Sequence, residues 1–421
     1  GPVGDRYLLS NGMVLLVKEN HTLPIVTMSM IIKAGSIVEP DDKAGLAGLT
    51  AGLLMKGAAG MSAEQISDAA DFIGASLDVG GGTDFATAGL SVLTKDADTG
   101  FSLLSKVLTS PDFKQEEIDR AKTAVKAAII RKEQEPDEVA QKTYQEAIFG
   151  ADSPYGRQVE GTAKTVDAIT RDDIVNFHKT RYVPNDCILA VVGDTNVNEV
   201  KALIEKYMAD WRPREQMPVV LKKADIPAKI TYIKVNRDIT QANILMGHPG
   251  VERENPDYYT LYVMNYILGG GGFVSRILDK IRDDMGLAYS AYSYFNPFKY
   301  DGSYTIGLET KNESAAQAID ETLKIVERMK KEPVTDKELK DAKDFITGSF
   351  PRKLDTNSKI AGLLTQIQFY GLDLNYFEMY EREITKITKE DVLKAAQKYL
   401  HPDKVKIIVV GNIKETKLEG R

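Results

Sequence analysis

The spacing of apolar positions changes period along the first hundred residues, and each change predicts an element. In "YLLSNGMVLLVKE" (7–19) two apolar runs flank Asn11-Gly12, a pair that suits a type I′ turn, so the stretch predicts a β-hairpin. "IVTMSMIIKAG" (25–35) reads as a further strand. Helical spacing then takes over in "AGLAGLTAGLLMKG" (44–57), where Leu46, Leu49, Leu53 and Leu54 form one stripe. Gly45, Gly48 and Gly52 mark a second face at i, i+3, i+7, with Ala51 beside them. Each interior glycine costs a helix about 1 kcal/mol relative to alanine. Either another element packs closely there, or the face has been emptied for a different reason. Ser62 and Gln65 have capping-box spacing and open the next helix. "ATAGLSVLT" (86–94) predicts a strand, 97–149 carries long helical patterns, and "DCILAVVGD" (186–194) predicts a late, buried strand.

The same plan recurs downstream. "ITRDDIVNFHKTRYVPNDCILAVVGD" (169–194) aligns without gaps on "ITKEDVLKAAQKYLHPDKVKIIVVGN" (387–412), with seven of 26 pairs identical. Average residue usage gives roughly one or two by chance. Upstream, Glu117/Glu338, Ala121-Lys122/Ala342-Lys343, Arg131-Lys132/Arg352-Lys353 and Gly150/Gly371 continue the match, and Thr94-Lys95 pairs with Thr310-Lys311. The expectation is an α+β fold of two duplicated domains of about 200 residues, each a mostly antiparallel sheet with helices packed on it. The expected boundaries are 1–212 and 228–421, joined by a linker at 213–227 that carries Pro213, Pro218 and Pro227.

Composition narrows the classes. The 421 residues are 43% apolar and 27% charged, the balance of a globular protein. A net charge of −7 with no Lys/Arg stripe argues against a nucleic-acid surface. No apolar run approaches the ~20 residues that span a bilayer. Cys187 is the only cysteine, so an intrachain disulfide is excluded and a buried structural thiol is expected.

The chemistry of common hydrolases is missing. The four histidines, His21, His178, His248 and His401, are too far apart in sequence for a helical zinc-binding pair, and each is expected on the surface or in a loop. Gly-x-Ser-x-Gly and a Walker-type loop are absent. The runs 80–82 and 269–272 are all glycine, and the second precedes the helical pattern "FVSRILDKIRDDM". It lacks G-x-G-x-x-G spacing, so close backbone approach or a mobile loop is the expected use.

Taken together, "LSNGMVLLVKE", "AGS", "GLAGLTAGLLMKG", "SPYGRQVEGT", the 169–194 segment and "LGGGGFVSRILDKIRDDMGLAYS" resemble the insulinase/pitrilysin family of zinc peptidases, especially the half-length type related to mitochondrial processing peptidase. The resemblance runs over nearly the whole chain. Active members of that family carry His-x-x-Glu-His on the helix that corresponds to 44–57, two histidines for zinc and a glutamate as general base. Laid over that pattern, Gly48 and Gly52 fall at the histidines, Ala51 at the glutamate and Ala128 at the distal glutamate ligand. None of these four side chains can ligate a metal or accept a proton.

The resemblance also implies an arginine and a tyrosine seven residues apart, facing the zinc site from the second half. "RDDMGLAY" supplies Arg282 and Tyr289 at that spacing. Ile277, Ile281 and Met285 make a helical stripe, and Gly286 suits a C-terminal cap, so Arg282 is predicted in the last helical turn. Tyr289 is predicted to open the strand "LAYSAYSYF", on one face with Ala291 and Ser293 and opposite Tyr292 and Tyr294. An arginine at a helix end and a tyrosine in a strand also have ordinary structural uses.

What the resemblance implies is therefore a non-catalytic subunit of a heterodimeric zinc metalloendopeptidase. It would donate Arg282 and Tyr289 to a homologous partner that supplies zinc and an intact His-x-x-Glu-His, the pair acting on unfolded peptides. No cofactor or metal is expected in this chain. Peptide addition to an exposed sheet edge at "GASLDVGGGTDF" (74–85) and a chamber entrance lined by 269–272 belong to the same expectation. The alternative is a structural or peptide-binding protein that keeps the peptidase fold without a role in proteolysis. The chain begins Gly1-Pro2-Val3, and by family analogy a periplasmic setting is expected over a cytoplasmic one.

Overall fold

The computed structural model describes residues 1–421. Two sheets organise it. The first contains β1 (Asp5–Leu8), β2 (Val14–Glu19), β3 (Ile25–Ile32), β4 (Ser76–Gly80), β5 (Ala86–Leu93) and β6 (Cys187–Gly193), in the order β1-β2-β6-β3-β5-β4. The second contains β7 (Thr231–Asn236), β8 (Gln241–Pro249), β9 (Ala288–Pro297), β10 (Gly302–Lys311) and β11 (Lys406–Gly411), in the order β7-β11-β8-β10-β9. Every neighbouring pair is antiparallel except β2/β6 and β7/β11. With helices packed on each sheet, the α+β class and the mostly antiparallel sheets are as expected.

Local signals act where they were read. Ser62 accepts from the Gln65 N–H while Gln65 Oε1 accepts from the Ser62 N–H, the reciprocal box that starts helix Ala63–Phe72. Thr170 with Asp173 and Thr388 with Asp391 build the same box at the starts of Arg171–Arg181 and Lys389–Tyr399. The hairpin turn differs from expectation. The Gly12 N–H donates to Leu9 O and the Leu9 N–H to Met13 O, with only Gly12 at positive φ (+87°). A type I′ turn needs two such residues, so this is the three-residue connection with a glycine bulge.

The chain divides into two compact units whose boundaries depart from 1–212, 213–227 and 228–421. One unit comprises Gly1–Ile129, Gln158–Val220 and Pro351–Glu378, and the other Ile130–Arg157, Leu221–Phe350 and Met379–Arg421. The difference lies in two helices. Asn357–Phe369 packs on β3 and β6, and Pro136–Phe149 packs on β8 and β11. All seven residues of β6 are buried, because helices cover both faces of that strand.

The core of the first unit joins one face of β2, β3, β5 and β6 to Leu46, Leu49, Leu53, Phe101, Leu104, Ile174 and Phe177 from the helices. In the second unit Ala140, Tyr144 and Ile148 pack with Leu245, Ile408 and Val410. The Tyr144 hydroxyl donates to Tyr304 O (2.8 Å) and accepts from Thr305 Oγ1 (3.1 Å), so this buried phenol is satisfied. Cys187 is buried, its S–H directed at Val183 O.

Candidate functional site

Helix Leu46–Leu53 buries Leu46, Ala47, Leu49, Thr50, Ala51 and Leu53. Its N-terminus is held by Glu39, a buried carboxylate that accepts from the N–H of Ala47 (2.8 Å) and of Gly45 (3.3 Å). Sequence reading missed Glu39, because it precedes the helix by more than the capping-box spacing. A Cβ on Gly81 would stand 3.1 Å from Gly48 Cα and 3.6 Å from Ala51 Cβ, so the chain just after β4 lies directly on this helix. A Cβ on Gly48 would reach Val159 at 3.4 Å. Close approach therefore accounts for the glycine at 81, whereas a Cβ on Gly48 would make only ordinary contacts. Nor does it account for Gly52, which is exposed with no atom within 4 Å of a Cβ position.

Ala128 lies half-buried in helix Gln115–Glu133. Glycine and alanine side chains carry no lone pair for a metal, and no three His, Cys, Asp or Glu side chains anywhere in the chain gather to hold one. The residues at these four positions do not fit a zinc ion. The histidines have other uses: His21 bridges Asp194 and Glu19, and His178 Nε2 lies 2.7 Å from Leu108 O. His248 is buried in β8 rather than placed on the surface, and its Nε2 accepts from the His401 N–H.

Arg282 and Tyr289 meet in the second unit. Both line an open cavity of about 510 Å³ bounded by the two helical stretches 258–270 and 276–284 and by β9. Arg282 sits in the last turn, as predicted, and that turn is π-helical (Asp279–Asp284). Gly286 at φ +61° ends it in a Schellman motif, with Leu287 N–H on Ile281 O and Gly286 N–H on Arg282 O. The strand starts two residues later. A tight cap is why residues seven apart in sequence end on one cavity wall.

The predicted strand faces need correction at Tyr289. Glu309 pairs with Ser290 and Thr310 with Ala288, which leaves Tyr289 as the extra residue of a β-bulge. A bulge breaks simple alternation and re-aims the side chain, so Tyr289 does not follow the Ala291/Ser293 face by counting in twos. Tyr289 is 50% exposed, whereas Ala291 and Ser293 are buried.

Several cavity residues escaped sequence reading. Asn265 donates through Nδ2 to Ser293 O (2.9 Å) and accepts from Ser293 Oγ (2.7 Å), tying its helix to β9. Gly269 is pressed against the same strand, since a Cβ there would lie 2.1 Å from Ser293 Oγ. That contact, and a π turn over Tyr266–Gly270, show Gly269 packed on β9 at a helix end, while Gly270 and Gly272 are exposed. Tyr262, Tyr266, Tyr292 and Tyr294 add rings to the walls. Burial and the nearby Tyr294, Glu309 and Asp137 raise the pKa of Tyr292. The Arg282 guanidinium has only the Asp283 carboxylate at 3.9 Å and the Phe273 ring at 5.6 Å beside it. Neither is a hydrogen bond, so its donors remain available.

Comparison with known proteins gives a consistent answer. Residues 14–163 match the family model described as insulinase (peptidase family M16), and 168–345 match the one described as peptidase M16 inactive domain. The "non-peptidase homolog YmxG" of Helicobacter pylori is 26% identical over 407 residues, covering 96% of this chain and 93% of the relative. The "uncharacterized zinc protease YmxG" of Bacillus subtilis is 26% identical over 357 residues, covering 85% and 86%. A crystal structure from Pseudomonas fluorescens, described as a peptidase M16 inactive domain, superposes with a TM-score of 0.91 at 28% identity, covering 97% of this chain and 98% of that one. A Helicobacter pylori protease shares the fold at a TM-score of 0.87 and 20% identity, over 97% and 99% of the two chains. The chain belongs to the insulinase family, peptidase family M16, as a non-catalytic protein with the peptidase fold.

Proposed function

We propose that this chain is the non-catalytic subunit of a heterodimeric zinc metalloendopeptidase and that Arg282 and Tyr289 act on a peptide held at a homologous partner's zinc site. One observation carries the reading. Arg282 and Tyr289 line a single cavity with no hydrogen-bond partner in the chain, while Gly48, Ala51, Gly52 and Ala128 present no metal-binding or basic atom. In peptide hydrolysis negative charge grows on the carbonyl oxygen, and a phenol O–H placed there stabilises it. A guanidinium offers a rigid fork of donors that orients the peptide backbone or a carboxylate. Neither role requires this chain to bind zinc. The likeness of the two halves, down to capping boxes at Thr170 and Thr388, is what duplication of one domain would leave.

The test is reconstitution. The chain alone hydrolyses no peptide, whereas mixing it with a homologue bearing His-x-x-Glu-His gives chelator-sensitive hydrolysis. Tyr289→Phe lowers kcat of the mixture by about a hundredfold, the usual scale for one oxyanion donor. Chelator-sensitive cleavage by the purified chain alone overturns the proposal. The description of the Helicobacter pylori relative as a non-peptidase homolog favours a second reading, a structural or peptide-binding role without proteolysis. A partner whose activity ignores Arg282→Ala decides for that second reading.

A further inference from the structure

The cavity that holds Arg282 and Tyr289 has a closed floor. Ala291, Ser293 and Gly269 form it, all buried, and the Asn265–Ser293 hydrogen bonds seal helix to strand beneath it. Tyr262, Tyr266 and Leu278 stand in the walls, and Arg282 and Tyr289 stand where the wall meets solvent. Phe273, 71% exposed, lies beside the guanidinium. A recess of aromatic and aliphatic groups thus carries a single cation whose donors meet no carboxylate at hydrogen-bonding distance. Its complement is a carboxylate attached close to an apolar ring.

We infer that this cavity binds the carboxyl end of a peptide whose last residue is aromatic, the ring entering among the tyrosines and the terminal carboxylate pairing with Arg282. A closed floor under an open mouth admits a side chain or a chain end. One terminal aromatic residue carries both required groups, whereas an internal carboxylate needs a second residue beside the ring. The inference rests on the reading that this cavity is the peptide site, and it narrows the substrate class.

Binding by the full chain alone tests this without any partner. Fluorescence anisotropy compares four labelled peptides: one ending in free Phe, its C-terminal amide, one ending in free Ala, and an amidated peptide with internal Asp-Phe. Free Phe binds best. The amide and the Ala end each lose about tenfold or more, as loss of a charge-assisted pair or of a buried ring predicts. Arg282→Gln removes the difference between acid and amide, while Tyr289→Phe keeps it. Equal binding of acid and amide, tight binding of internal Asp-Phe, or no binding of any peptide at millimolar concentration overturns the inference. Such a failure leaves the reconstitution result standing, and failed reconstitution leaves these affinities unchanged, so the two readings fail separately.

Discussion

Gly52 lies inside a helix, exposed, with open space where a side chain would project. Nothing in the fold needs glycine there. Gly52→Ala is therefore expected to stabilise the chain by up to about 1 kcal/mol, read as a higher urea midpoint with an unchanged slope. A destabilised variant would mean that this face does pack against something. His248 gives a second test at single-residue scale. Burial holds its pKa down to about 4 from 6.5, with His401 and Lys330 adding to the effect and Asp403 opposing it. The ring stays neutral, its Nδ1–H donating to Pro249 O (2.7 Å) while Nε2 accepts from the His401 N–H (3.1 Å). Because the folded pKa lies below the unfolded one, its stabilisation is full above pH 6.5 and is lost as pH falls toward 4. The loss is on the order of 3 kcal/mol. Urea titrations between pH 7 and 4.5 should show this slope, and His248→Gln should remove about one proton's worth of it. An unaltered slope would rule the residue out.

At the scale of elements, the helix–cap–strand unit from Arg276 to Pro297 sets the candidate site. Its spacing was readable because every step is local: an apolar stripe, a glycine at C′, then alternating strand residues. Gly286→Ala leaves space untouched but forces a side chain into the left-handed region, at a cost of about 1 kcal/mol. Hydrogen exchange at Gly286 and Leu287, the amides that close the Schellman motif, should accelerate severalfold relative to the rest of the helix. Unchanged exchange there would show that the cap does not hold the turn. Two features of the same unit were not readable. The Tyr289 bulge depends on how β9 registers against β10, and the π turn at Asp279–Asp284 depends on what that helix packs against. Both arise from residues distant in the chain.

Considered as a whole molecule, the chain gives each compact unit a helix drawn from the other half of the sequence. A fragment 1–212 lacks Asn357–Phe369, so it exposes one face of β3 and β6. It also carries Pro136–Phe149 without the strands that helix covers. A fragment 228–421 has the converse defect. Each fragment expressed alone should bind a hydrophobic dye and unfold without a cooperative transition, whereas the full chain unfolds cooperatively. A monomeric 1–212 fragment with a sharp transition would show that the exchanged helices are dispensable.

The sequence by itself determined the elements, their caps, the α+β class and the residues missing from the metal motif. These follow from periodicity, from capping chemistry within four residues and from the identity of single side chains. It also marked 186–194 as a late, buried strand. Only the tertiary structure decided which helix covers each strand, that Asn265 and four tyrosine rings join Arg282 and Tyr289, and that Gly81 lies over Gly48. Any amphipathic helix of suitable length satisfies a two-sided apolar strand equally well. The choice among them is made by packing between distant segments, which no local pattern records.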